Sequence, residues 1–294
     1  MGSERGQGTV EWVGLVALVS VAMLALLAAG VRVPGASLAL AVADRLLCAV
    51  SLADGCGDEP ELIAAYGDEV GGLVRQHMPM LAFEHGSRAV PVDFRRCRRS
   101  ECGDAAGTGL IHKTDEGLPV TVFVHVVDCR DGEAERTEAL GADCSDERAG
   151  NLYVQYWTYY ADSATLRGMP IAGKKGYHKD DWESVQFRIG PDGSVDERAS
   201  SHHGYNYFLT DNNWTSDAGL VAHDGWGPET HLLLVSGGSH AGNAAGMANT
   251  DRYTPGRRVH LVPLEPLATD GTTFAISAPW LKQVWLDPEA AGTA

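Results

Sequence analysis

Apolar residues run almost unbroken over residues 12–33, then fall into helical spacing, and beyond about Met80 they shorten into runs of strand length. The first run, WVGLVALVSVAMLALLAAGVRV, carries no charge before Arg32 and is long enough to cross roughly 30 Å of hydrocarbon as a helix. After Pro34-Gly35, Ser37 is placed to cap a short helix carrying Leu38, Ala41, Leu46 and Leu47. Asp58 ahead of Pro60 starts a second helix, in which Leu62, Tyr66, Val70 and Leu73 recur on one face. Strand-like runs then cover residues 118–127, 152–160, 182–189, 231–236 and 258–264, separated by turn-rich stretches such as Gly190-Pro191-Asp192-Gly193. Several strands without intervening helical periodicity predict a mainly β domain, a β-sandwich or a strongly bent sheet. The chain divides accordingly into a tail (1–11), a transmembrane helix (12–33), a short helical collar near the membrane (34–77) and a β-sandwich domain (78–294).

Composition narrows what such a domain can do. With 44% apolar residues among 294, a packed core is expected. A net charge of −16 argues against nucleic acid, whose phosphates are bound through concentrated Lys and Arg. The basic run Arg95-Arg96-Cys97-Arg98-Arg99 departs from this balance, either as a solvated loop or as a local docking point for anionic lipid or polymer. Six cysteines fall as close pairs, Cys48 with Cys56, Cys97 with Cys102, and Cys129 with Cys144. No C-x-x-C occurs and the spacings exceed that of a zinc knuckle, so local disulfides are expected. All six follow the apolar helix, which places the C-terminal domain on the oxidising, extracytoplasmic side of a cell membrane that the chain crosses once. A longer apolar stretch and a weaker basic flank than a secretory signal favour an anchor over a cleaved peptide.

The residues before the helix, Glu4-Arg5-Gly6-Gln7-Gly8-Thr9-Val10-Glu11-Trp12, resemble the signal of Flp-type pilins and related TadE-type proteins. That resemblance implies cutting between Gly6 and Gln7, with Glu11 the glutamate that follows the cut, and a pilus-type assembly as a possible partner. A plain signal anchor explains the same residues. On both readings the domain is tethered to the bilayer.

The segment richest in chemistry is residues 177–189, YHKDDWESVQFRI. Side chains alternate along a strand, so Asp181 and Glu183 share a face with Val185, Phe187 and Ile189, while Trp182, Ser184, Gln186 and Arg188 take the other. Carboxylates on a core-facing side need a positive partner. An Arg or Lys would serve; so would a divalent cation, for which Asp, Glu and His supply oxygen and nitrogen ligands. His178 lies just upstream, where the start of the strand can turn it towards the same point.

His178-x-x-Asp181-Trp182-Glu183 resembles the H-x-x-D-W-E core of the necrosis-inducing (NLP) family of secreted proteins, and of a broader vacuolar-sorting-like group with a DWE strand. Other segments match in order: the lead-in residues 78–85 with Pro91, the aromatic run Tyr156 to Asp162, the step Ser201-His202-His203-Gly204, and the turn Ser236-Gly237-Gly238-Ser239-His240-Ala241. The resemblance implies a β-sandwich with a divalent metal held by Asp162, His178, Asp181 and Glu183, completed by His203 or His240. Lys179 and Asp180 stand where the family has a basic residue and a second histidine, and without that histidine the cytotoxic activity is not implied.

No G-x-S-x-G elbow, Walker loop or H-E-x-x-H occurs. The expected function is therefore binding: a membrane-anchored outer domain whose metal orients a surface glycan or lipid head group. A metal-assisted hydrolase, with Asp180 as base, and a pilin-like structural subunit are the alternatives.

Overall fold

A computed structural model describes residues 60–85, 87, 89–96, 120–163, 178–201, 204–208, 222–244, 253–255, 259–266, 274 and 276–290. The expected span at 12–33, the helix after Ser37, the processing residues Gly6, Gln7 and Glu11, the pairs Cys48/Cys56 and Cys97/Cys102, and His203 lie outside them. Among the described residues no helix is long and apolar enough to cross a membrane.

The described chain is mainly β. Helix α1 (Pro60–His77) leads into β1 (Met80–Glu84), then α2 (Phe94–Arg96), β2 (Val120–Asp128) and α3 (Ala134–Ala139). The long strands β3 (Leu152–Ser163) and β4 (His178–Ile189) follow, then β5 (Val195–Ser201), β6 (Gly204–Phe208), β7 (Ala222–Asp224) and β8 (Gly227–Pro228). Strands β9 (Leu232–Val235), β10 (Gly242–Ala244), β11 (Tyr253–Pro255) and β12 (Val259–Pro263) complete the set, ahead of 3₁₀ turns at Pro279–Leu281 and Gln283–Trp285. The strands form one sheet in the order β10-β9-β1-β11 and a larger one in the order β12-β2-β3-β4-β5-β6-β7, with β8 beside β5.

The apolar pattern explains how these layers meet. In the β3–β4 ladder Val154 faces Phe187, Tyr156 faces Val185, Thr158 faces Glu183 and Tyr160 faces Asp181. Paired residues share a face of the sheet, so the alternation read from the sequence holds along the ladder. On this face Val122, Val124, Val154, Tyr156, Val185 and Phe187 join Leu81, Phe83, Leu233 and Val235 of the smaller sheet in one core. Fully burying each such side chain contributes roughly 1.5–3 kcal/mol. The opposite face is buried as well: Phe123, Trp157, Tyr159, Trp182 and Tyr205 pack with Phe94, Val284 and Trp285. That second layer is why the strands read as near-continuous apolar runs rather than as a clean alternation.

Helix α1 supplies Leu62, Val70 and Val74 to the first core. Tyr66 donates its hydroxyl to the carbonyl of Val124 at 2.7 Å, and Tyr156 donates to that of Val74 at 2.5 Å. The helix bends at Gly67, whose φ of 75° a side chain would resist. The expected local disulfide between Cys129 and Cys144 is present, with Cα atoms 5.2 Å apart. It closes the loop carrying α3 beside the C-terminal segment, where Asp143 N–H donates to the carbonyl of Leu286 at 2.7 Å.

Two strands differ from their predicted limits. The ladder of β3 and β4 continues past Tyr160 and begins before Trp182, with Asp162 opposite Lys179 and Ser163 opposite His178. The polar residues Asp162, Ser163, His178, Lys179 and Asp181, which lack the composition of a strand, are strand residues because each finds its partner across the ladder.

Candidate functional site: an acid–histidine cluster at the end of the β3–β4 ladder

The acids of the DWE strand lie where the two sheets come together. Asp181 is 4% exposed and Asp162, across the ladder, is 2% exposed. His240 comes from the turn between β9 and β10, and this turn is closely tied down. Ser236 N–H donates to the carbonyl of Ala241 and His240 N–H to that of Ser236. Gly237 N–H donates to Glu84 Oε2 at 2.8 Å, and Ser163 Oγ donates to the carbonyl of Gly238 at 3.2 Å. Two anchors, one on β1 and one at the end of β3, thus deliver His240 to the ladder.

The result is a pairing between Asp181 Oδ2 and His240 Nδ1 at 2.7 Å. The imidazole also lies flat on Tyr160, with ring centroids 3.9 Å apart and planes 8° from parallel. His178 Nε2 reaches the other oxygen, Oδ1, at 3.8 Å. Asp180 adopts a left-handed φ of 56° between them, a turn in the strand that carries His178 towards Asp181. His240 has a similar φ of 55°. Two of the non-glycine residues with left-handed backbone therefore flank the same carboxylate.

Glu183 sits one pleat further in. Ser200 Oγ donates to its Oε2, and Ser184 N–H donates to Ser200 Oγ at 2.8 Å. A cavity of about 10 Å³ opens beside it, lined in part by Tyr156, Thr158, Leu233, Val235 and His240. That is room for about one water molecule and for no organic ligand.

Burial sets the charges. It pushes Asp181 up to about 7, an effect that His178 and Lys282 oppose and Asp162 reinforces. Glu183 is raised well above the usual carboxylate range by burial and then by the charge of Asp181. Burial also holds His240 down to about 4, so the imidazole is neutral at pH 7. With Nδ1 engaged by Asp181, the remaining ring nitrogen of His240, Nε2, is buried without a hydrogen-bond partner.

The structure thus brings Asp162, His178, Asp181, Glu183 and His240 of the expected set to one region, and His203 lies outside the described residues. Among the described residues no group of three or more His, Cys, Asp or Glu is arranged to hold a metal ion. The donor chemistry nonetheless suits a divalent cation: carboxyl oxygens, and an imidazole nitrogen buried without a hydrogen-bond partner. Asp180, the residue considered as a base, is buried and accepts a hydrogen bond from Tyr159 at 2.8 Å.

Two participants had no signal in the sequence. Ser200 directly precedes the Ser201-His202-His203-Gly204 step but belongs to no motif. Lys282 lies on the C-terminal turn with its ammonium buried and without a hydrogen-bond partner, 5.7 Å from the centre of the Trp157 ring. Its charge acts on both Asp181 and Glu183. A lone lysine among Trp280, Leu281 and Val284 carries no spacing that would single it out.

No protein family matches the chain, and no curated protein matches it in sequence. A solved structure described as "Toxin fold for microbial attack and plant defense" is similar over 57% of this chain and 74% of its own, at 16% identity and a TM-score of 0.27. So slight a likeness carries no argument about activity.

Proposed function

We propose that this chain is a membrane-tethered, extracytoplasmic binding domain whose acid–histidine cluster takes up a divalent cation and through it holds an oxygen-rich ligand, a surface glycan or a lipid head group. The observation that supports it is Asp181 buried between His178 and His240, with Asp162 and Glu183 beside it. Buried carboxylates are stable as anions only with a counter-charge. A bound cation would supply that charge and, with an open coordination position, an attachment point for ligand oxygens. Asp162, Asp181 and Glu183 would offer oxygens, His178 and His240 would offer nitrogens, and Tyr160 would hold the His240 ring in orientation.

The resemblance of His178-x-x-Asp181-Trp182-Glu183 to the NLP and vacuolar-sorting-like group, with its β-sandwich, belongs to the same proposal. So does the anchor at residues 12–33. Turnover is the weaker reading, because Asp180 is engaged by Tyr159 rather than free to accept a proton from water.

The test is elemental analysis of the full-length chain beside Asp181→Ala and Asp162→Ala. About one equivalent of a divalent metal in the parent, lost in both variants, is the expected result. A parent free of metal after reconstitution, or variants with unchanged content, would overturn the proposal and leave the cluster as an internal network balanced by Lys282. Glycan and phospholipid head-group binding, with and without chelator, then separates a functional ion from one that only stiffens the ladder.

A further inference from the structure

A second group of titratable side chains lies on the seam where α1, the large sheet and the turn before β9 meet. His77, in the last turn of α1 and 4% exposed, places Nδ1 2.8 Å from Glu229 Oε1. His231, two residues on from Glu229, places its own Nδ1 3.1 Å from the same oxygen. Glu197, on β5 and 2% exposed, accepts from Thr230 N–H at 2.9 Å and from Thr230 Oγ1 at 2.6 Å. Three consecutive residues, Glu229 to His231, are therefore held from two sides, and His231 has a left-handed φ of 57°. The carbonyl of His231 in turn accepts from Met80 N–H at 3.0 Å, which fixes the start of β1.

The charges across this seam depend on protons. Glu197 is pushed up to about 7, chiefly by burial, with the charge of Glu229 adding to the shift against the Thr230 hydrogen bonds. The groups facing the seam are His77 from α1, Glu229 and His231 from the turn, Glu197 from β5 and Tyr156 from β3, whose hydroxyl burial and Glu229 hold well above its usual range. Asp196 and Arg198 point to the other side of β5, and Asp196 pairs there with Arg188 at 2.8 Å. Glu229 Oε1 is shared by the two imidazole rings, and below about pH 7 the buried Glu197 carboxyl is neutral. Above about pH 7 Glu197 takes up a negative charge in a buried site, where the charge of Glu229 repels it.

We propose that this seam is a proton-operated latch, which holds the C-terminal turn of α1 to the sheets in mild acid and releases it in mild alkali. It contains none of the acids or histidines of the acid–histidine cluster, and Tyr156 borders both.

The test is amide hydrogen exchange on the full-length chain, read as protection factors so that the intrinsic pH dependence is divided out. Between about pH 5.5 and pH 8.5 we expect residues 73–77 to lose about tenfold or more of their protection while residues 153–158 of β3 keep theirs. Glu197→Gln, which stays neutral at all pH, should retain most of the protection at the higher pH, and His77→Gln should show low protection at both. Equal protection of residues 73–77 at the two pH values, or a Glu197→Gln chain with the parent's full loss, would overturn the latch. A uniform loss that includes β3 would mean global unfolding and would overturn it too.

Discussion

Asp181 and His240 meet at 2.7 Å although 59 residues separate them, the acid from a strand of the large sheet and the histidine from a turn beside the small one. The contact therefore reports how firmly the two sheets are registered. Residues in direct contact couple energetically, whereas distant ones add. A double-mutant cycle of Asp181→Ala and His240→Ala, followed by urea denaturation in chelator, should give a coupling of about 1–3 kcal/mol. Additivity to within about 0.5 kcal/mol would place the two side chains apart.

Breaking the disulfide should weaken the C-terminal end of the structure. Cys129 and Cys144 are separated by 15 residues and both are buried, so a reductant reaches them only through opening. The bond restricts the unfolded chain, and a loop of this size is worth about 2–4 kcal/mol. Cys129→Ala with Cys144→Ala should lose about that much stability to urea. A double variant as stable as the parent would show that the packing of Tyr153, Val127 and Trp226 around the pair is sufficient by itself.

Much of this arrangement was legible in the apolar pattern. Strands β2, β9 and β12, together with residues 152–160 of β3 and 182–189 of β4, coincide with runs of β-branched and aromatic residues. The parity placing Asp181 and Glu183 with Val185 and Phe187 is the parity of the ladder. Strands that lack this signature were not legible: β5 reads Val-Asp-Glu-Arg-Ala-Ser-Ser, and its buried Glu197 and Arg198 are stable only because Thr230, Gln186 and the C-terminal carbonyls satisfy them. The same holds for Lys282. Its relation to the acids depends on a tertiary turn, and local spacing carries no trace of it.

His125 gives the domain an acid-side pH dependence. Its ring stacks on Trp285 with centroids 3.5 Å apart, and burial holds it down to about 4, against a weaker upward pull from Gln155. A histidine with a lowered folded pKa takes up a proton more readily when unfolded, so its contribution is complete above about pH 6.5 and is lost as the pH falls towards 4. The loss should reach about 2–3 kcal/mol. His125→Phe keeps the stack on Trp285 and removes the titration, so its denaturation midpoint should change less than the parent's across that range. Parallel pH profiles for the two chains would assign the acid sensitivity elsewhere.

Glu289 holds the C-terminal segment against the second face of the sheet. Its Oε1 accepts from Tyr153 at 2.7 Å and from Arg188 at 3.1 Å, and its Oε2 accepts from Trp226 Nε1 at 2.5 Å. Trp226 in turn has the guanidinium groups of Arg188 and Arg198 at 5.0 and 4.4 Å from its ring centre. Removing the carboxylate leaves Arg188 with Asp196 alone and two aromatic donors without an acceptor. Truncating one partner of a largely buried, hydrogen-bonded ion pair is strongly destabilising, so Glu289→Ala should lose about 2–4 kcal/mol. Glu289→Gln retains an acceptor for Trp226 or Tyr153 and should lose roughly half of that. The tryptophan emission of both variants, compared with Trp226→Phe, reads whether the indole gains access to water. An Ala variant with unchanged emission and stability would show that Arg148, bonded to Asp287 at 2.7 Å, and the Gln155 bond to Val284 hold the segment without it.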